Sequence, residues 1–155
     1  MSTPLIESIA VKLKEAVNAI TEAAGFNYDL TAVRPKRIHL EGDINTDRTV
    51  IIEQESAVKH SQSGDTITWR QGFTLQALVI DSDTETESID TRLNKIRADI
   101  EKQLTSATYQ DCGGLADGIL LKDPEKFLTE DCSGIAVNID VQYTTEYNDP
   151  YTQVT

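Results

Sequence analysis

A chain of 155 residues with 39% hydrophobic and 26% charged side chains is one domain's worth of soluble globular protein. It is long enough to bury roughly two thirds of the surface its unfolded chain exposes, and no apolar run approaches the ~20 residues a membrane-crossing helix needs. The net charge of −12 sits mostly in residues 81–155, with 16 acidic and 6 basic side chains against 10 and 8 in residues 1–80, so a nucleic-acid-binding role gains no support.

The opening "MSTPLIESIAVKLKEAVNAI" has no cationic leader followed by an unbroken apolar block, and cytoplasmic synthesis is expected. Instead Ile6, Ile9, Leu13, Ala16, Val17 and Ile20 recur at three- and four-residue steps, which predicts an amphipathic helix over Pro4–Ala24. Thr3 is expected as its N-cap, Pro4 at its first position, and Gly25 in the left-handed conformation that closes it. Thr31–Leu40 is a weaker strand, and Pro35 places it at an edge. The basic run Arg34–Arg37 within it reads either as an exposed edge or as a contact for an acidic partner.

Val50–Lys59 reads as a strand, and "HSQSGD" as a hairpin connection. In Thr66–Ile80 the odd positions Ile67, Trp69, Phe73, Leu75, Ala77 and Val79 form one apolar face opposite Thr68, Arg70, Thr74 and Gln76. Gly72 suggests a bulge or bend there. Leu78 and Ile80 break the polar face, so that end is expected to be covered on both sides. The acidic "DSDTETES" precedes a second helix, Ser88–Leu104, with Ile89, Leu93, Ile96, Ile100 and Leu104 inward; acidic groups suit its positive end. Residues 105–133 are irregular: a short strand is read near Gly118–Leu121 and a helical turn at "DPEKFL". In the final strand Ile135, Val137, Ile139, Val141 and Tyr143 face one way, Asn138, Asp140, Gln142 and Thr144 the other. These elements predict an α+β fold in a single domain over residues 1–155. Two helices pack on one face of a mainly antiparallel, mixed sheet of four to five strands in the order αβββαβ(β), the last strand able to pair in parallel.

The same order underlies restriction-like nucleases, which need an acidic residue on the second strand and an acidic-x-Lys triplet on the third. Glu53 and Glu55 answer the first need, but "TITWRQGFTLQALVI" carries neither acid nor lysine. No nucleophile elbow, phosphate loop, dinucleotide fingerprint or His-Glu-x-x-His is present. His39 and His60 read as surface residues rather than bases. Cys112 and Cys132 are too few for a disulfide framework and match no zinc spacing, leaving two reduced thiols or one bridge in an oxidising setting. No catalytic, cofactor or metal residue is therefore expected, nor a small-molecule substrate.

The C-terminal passage "GIAVNIDVQYTTEYNDPYTQ" resembles the tail terminator or tail completion proteins of long-tailed bacteriophages, the family of the minor tail protein U and related head–tail joining proteins. In that family an alternating strand runs into an aromatic-Thr segment and an Asn-Asp-Pro turn, here Tyr143, Thr144, Thr145, Tyr147, Asn148, Asp149 and Pro150. The resemblance implies a non-enzymatic virion protein, a homohexameric ring that caps the tail tube, ends its polymerisation and offers a surface for head attachment. Its partners would be itself, the tail tube protein and the head–tail connector protein, with DNA only as passing cargo and no membrane. Tyr143, Tyr147, Asn148, Asp149, Pro150 and Tyr151 are expected to project as an intersubunit or tube-facing segment, tyrosine being favoured in protein contacts. Asp81, Asp83, Glu85 and Glu87 are expected to line a lumen and repel DNA. The rival readings are a head–tail connector or neck protein, a monomeric α+β binding module, and a degenerate nuclease-like enzyme.

Overall fold

The computed structural model describes residues 2–35, 47–80, 86–128 and 132–154. Helix α1 spans Leu5–Asn18 and buries Ile9, Leu13, Ala16 and Val17 of the stripe that the three- and four-residue spacing marks; Leu5 and Ala10 are buried with them, and Ile6 is only partly so. It is shorter than expected at both ends. Pro4 is the N-cap and makes no side-chain cap bond. The Leu5 N–H instead donates to the carbonyl of Pro150, 3.0 Å away, so the C-terminal segment satisfies an orphan donor of the first turn. At the other end the Ile20 carbonyl accepts from Leu30 N at 3.0 Å, drawing the chain out of the helix. Gly25, at φ 92°, closes a separate 3-10 turn, Glu22–Ala24, whose cap is Thr21.

Strand β1, Thr31–Val33, pairs in parallel with the first residues of β2, Thr49–Ser63. It is shorter than the Thr31–Leu40 expected, of which 36–40 lie outside the described residues. β2 runs further than expected and returns as β3, Thr66–Ile80, through the two-residue turn Gly64-Asp65 with Gly64 at φ 57°. The bulge anticipated at Gly72 falls on the opposite strand. The β2 register shifts between Gln54 and Ala57, and again between Lys59 and Ser61. Gly72 makes room for the first shift, since a Cβ there would lie 3.2 Å from Glu55 Cβ. Buried Gln71 holds the bulge by donating its side-chain amide to the Glu55 carbonyl.

Helix α2, Ile89–Leu104, follows an N-cap at Ser88, whose Oγ accepts from Thr91 N at 3.2 Å. It buries Leu93, Ile96, Ile100 and Leu104, and also three polar residues that tie it to its neighbours, of which Arg92 donates to the Ile80 carbonyl at 3.3 Å. The Asp99 carboxylate accepts from Asn27 N at 3.0 Å, Asn27 Nδ2 at 2.9 Å and Tyr28 N at 3.2 Å. Gln103 Nε2 donates to the Ala16 carbonyl at 2.8 Å and locks α2 to α1.

The last strand, β6, covers Cys132–Glu146 and pairs antiparallel with β3 along all fifteen residues without a shift. Its other edge carries β4, Gly118–Leu121, and β5, Glu125–Leu128, both antiparallel. Their registers differ by one residue, so β4 and β5 are one edge strand broken by a bulge at Lys122–Pro124. Across the break Lys122 N still donates to the Asn138 carbonyl, and Asn138 Nδ2 to the Asp123 carbonyl, both at 2.9 Å.

Two expectations are corrected here. "DPEKFL" is strand rather than helical turn, because pairing with β6 satisfies its backbone and the Phe127 ring lies against Gly134. β6 pairs in parallel with neither neighbour; among the described strands the parallel pair is β1–β2. The sheet order is β1-β2-β3-β6, then β4 and β5 along the far edge: an α+β fold with a mixed sheet of six strands among the described residues.

The core lies between both helices and one sheet face, on which Val50, Ile52, Phe73, Leu75, Ala77, Val79, Val137, Ile139 and Val141 stand. At the β1 end the other face is covered too: Ile51, Leu78 and Ala136 are buried there, as the broken alternation of β3 implies. Phe73→Ala is expected to cost about 3–5 kcal/mol through the cavity it leaves. Asp99→Ala should cost about 2 kcal/mol or more, from orphaned amides and lost charge-assisted bonds. Urea unfolding followed by circular dichroism measures both, with the midpoint lowered and the slope unchanged.

Candidate interaction surface

The helices do not reach the whole sheet. From Gln54 to Ser63 every β2 side chain is exposed, and β3 is only half-buried from Thr66 to Arg70. Here β2 lies outside the core as an outer strand, while its partner stays in the sheet: Trp69 packs against the core and Thr66–Arg70 pair with Gln142–Glu146. β1 pairs only with Thr49–Ile51, so from Ile52 onward the outer edge of β2 has no strand partner among the described residues. Val58, on that edge, is 63% exposed.

The C-terminal segment behaves differently from the projecting tail expected. Tyr143 is 8% exposed and belongs to the core. The alternation already carried this signal, because Tyr143 continues the face of Ile139 and Val141. After β6 the chain turns at Asn148-Asp149: Asp149 N donates to the Glu146 carbonyl at 3.1 Å and Tyr151 N to Asp149 Oδ1 at 3.0 Å. It then folds back. Val154 N donates to the Thr144 carbonyl at 2.9 Å, and Gln153 bridges Thr144 N and Asp117 Oδ1 at 2.9 and 2.6 Å. The Pro150 carbonyl is taken by α1. The residues of this segment left to face outward include Tyr147 and Tyr151, 69% and 48% exposed. Tyr147 N donates to the Asp65 carbonyl at 2.6 Å, so the hairpin turn and the C-terminal turn form a single end of the molecule.

Of the four acidic residues expected at a lumen, Asp81, Asp83 and Glu85 lie outside the described residues. Glu87 is engaged locally: Lys95 Nζ lies 2.5 Å from Oε2 and the Tyr28 hydroxyl 3.5 Å from Oε1. The hydrogen bond from Lys95 is the main reason its carboxyl is held below the usual value. Likewise Arg34 of the basic run makes a two-pronged pair with Glu7, at 2.8 and 3.1 Å; Lys36 and Arg37 lie outside the described residues.

A different acidic surface emerges from the strand register. On the helix-free face stand Glu53, Glu55, Asp140 and Glu125, with Asp123 in the β4–β5 break, against Arg70 and Lys122. A polar ladder crosses the strands. Thr68 and Thr144 hydroxyls meet at 3.0 Å, Thr144 reaches Asp117 Oδ2 at 2.7 Å, and Arg70 Nε donates to Gln142 Oε1 at 3.3 Å. The Thr74 hydroxyl lies 3.0 Å from Glu55 Oε1 and 3.1 Å from Asn138 Oδ1. An open groove of about 940 Å³ runs over this ladder between the β2 bulge and the Lys122–Pro124 break. Alternation marks the polar face in the sequence, but the groove needs the register.

Glu53 faces Thr74 across the hairpin, and no group of three or more His, Cys, Asp and Glu side chains is placed to hold a metal among the described residues. His60 is exposed at the second β2 bulge, and His39 lies outside the described residues. The arrangement offers contact surface: a polar sheet face, an open strand edge and an aromatic tip. The chain matches no protein-family model and no curated protein.

Both cysteines are thiols. Burial pushes Cys112 from the ordinary 9.0 up to about 12, with Asp111 adding to the rise. Burial also raises the Tyr143 phenol above 10.0. A raised value in the folded state means stability that is complete below the unfolded value and lost as pH climbs to the folded one. Stability is therefore expected to hold below pH 9 and to fall between pH 9 and 12 by an amount on the order of 4 kcal/mol from Cys112, at about 1.4 kcal/mol per pH unit of separation. Denaturant titrations across this range should show the fall, and Cys112→Ala with Tyr143→Phe should flatten it.

Proposed function

We propose that this protein is a non-enzymatic virion assembly protein, a phage tail terminator that closes into a homo-oligomeric ring, caps the tail tube and offers the surface for head attachment. Several features support the reading: the chain length, two helices on one face of a mixed sheet, and the C-terminal sequence from Tyr143 to Pro150. The observation that carries it is the outer edge of β2. Residues 54–63 add no buried side chain to the core, yet they extend the sheet as a long outer strand whose free edge has no strand partner among the described residues. Such edges invite unwanted pairing, so a long exposed edge strand is best accounted for by a contact with another chain. A ring is made from one contact repeated head to tail around an axis, which a single edge and its docking surface can provide.

In this reading the end built by the hairpin turn and the Asn148-Asp149 turn meets the tail tube protein or the head–tail connector through Tyr147 and Tyr151. The helix-free face, rich in carboxylates, would turn toward the passing DNA and keep phosphates from sticking. Mass measurement by sedimentation, with negative-stain images of the protein mixed with growing tail tubes, tests the proposal. Rings and capped tubes of uniform length are expected. A monomer that leaves tube growth unchanged would overturn it, and rings that bind the connector but no tube would move the protein to the neck. Tyr147→Ala with Tyr151→Ala should fold with a near-normal melting temperature and lose capping. Truncation before Asn148 is a poorer test, since it also removes the Pro150 carbonyl from α1 and Gln153 from Thr144.

A further inference from the structure

We infer that copies of this chain join through opposite edges of the sheet, the outer edge of β2 around Ala57–Lys59 in one copy meeting the outer edge of β4 around Leu120–Leu121 in the next. The inference rests on the self-assembly part of the proposed function and names the surfaces that would perform it.

Four observations point to these two edges. First, they are open: neither has a further strand partner among the described residues, and Gln54–Ser63, Leu120 and Leu121 are exposed. Second, the exposed large hydrophobic side chains concentrate there. Val58 (63%) lies on one edge and Leu120 (44%), Leu121 (43%) and Leu128 (73%) on the other, while none of those described lies within β3 or β6 between them. Exposed apolar side chains grouped along an outer strand are the kind of surface at which chains associate.

Third, the edges stand level. Following the register across the sheet, Val58 pairs with Arg70, Arg70 with Gln142 and Gln142 with Gly118; likewise Gln54 leads through Phe73 and Ile139 to Leu121. The four residues of β4 thus lie at the height of the open stretch of β2. Val58 and Leu120 share the helix-free face, since their rungs carry Arg70 and Asp140. Fourth, the strand senses agree. β2, β3, β6 and β4 alternate in direction, so β4 runs opposite to β2. A second copy set beside the first in the same orientation therefore presents an antiparallel strand. The contact is heterologous, the type that generates rings when the rotation closes.

The joint is short, and its limits are visible. Bulges on both sides of Ala57–Lys59 end pairing on the β2 side. On the other side the Gln110 carbonyl already accepts the Ile119 amide at 3.0 Å, and Pro124 offers no donor. A few backbone bonds fix alignment while Val58 and Leu120 supply the apolar contact on the helix-free face. The same interruptions restrict pairing by other strands along the rest of each edge.

Cross-linking distinguishes this interface from others. Val58→Cys with Leu120→Cys, treated with a short bismaleimide at a concentration where sedimentation reports the oligomer, should give a covalent ladder beyond the dimer. Each single variant and the wild type should give no more than dimer. Val58→Lys should shift the chain to monomer at that concentration while its circular dichroism stays native. An oligomer by mass with no ladder would overturn the edge-to-edge contact and leave the ring proposal standing. Dimers from Val58→Cys alone at the yield of the double variant would show β2 pairing with β2, and would overturn it too. A monomer at all concentrations, alone and on tail tubes, would overturn both.

Discussion

The antiparallel pairing of β3 with β6 is the interaction on which the rest of the structure depends. Fifteen consecutive residues on each strand meet without a shift. A slip of one residue would send every apolar side chain of one strand to the wrong face. Because the register holds, Phe73 stands beside Ile139, Leu75 beside Val137 and Ala77 beside Ile135, all toward the helices. The same register puts Thr68 beside Thr144 and Thr74 beside Asn138 on the other side, where hydroxyl and amide groups satisfy one another. β2 and the β4–β5 strand are added to the two outer edges of this pair, and their irregularities do not propagate into it.

Around the central pair, the chain's ends and helices are tied by a few polar contacts rather than by more apolar surface. Asp99 gathers the backbone at Asn27 and Tyr28, Gln103 reaches the Ala16 carbonyl, and the Pro150 carbonyl caps α1. A buried carboxylate that accepts several N–H groups specifies one loop geometry. The last link joins the two termini, so the C-terminal segment serves the fold of α1 while Tyr147 and Tyr151 stay free for contact. Within eight residues, backbone carbonyls and Gln153 point inward and the aromatic rings outward.

Legibility in the sequence followed the length of each pattern. β3 appears with the bounds that its alternation predicts, and α2 begins one residue after the Ser88 expected, because fifteen or sixteen residues of one period leave little choice. α1 lost its last turn to a tertiary bond at Ile20, which periodicity cannot register. β5 was mistaken for a helical turn because four residues after a proline have no period; its identity comes from β6. Of the surface, Tyr147 and Tyr151 are legible as exposed aromatics, whereas the alternation of β6 places Tyr143 in the core rather than in a contact. Val58 and Leu120 carry no signal in the sequence, since a lone valine in a polar strand and a leucine in a short one become significant only when both strands prove to be edges.

The sequence by itself determined which face of each long element is apolar, where α2 begins, and the α+β class, because side-chain period is a local property of a helix or strand. Tertiary structure decided the strand order, the merging of β4 and β5 across Pro124, the return of the C-terminal segment onto β6 and α1, and the open edges. Those outcomes rest on backbone groups that every residue carries alike. Which N–H meets which C=O is settled only when distant strands come together, and no side-chain pattern along the chain records it in advance.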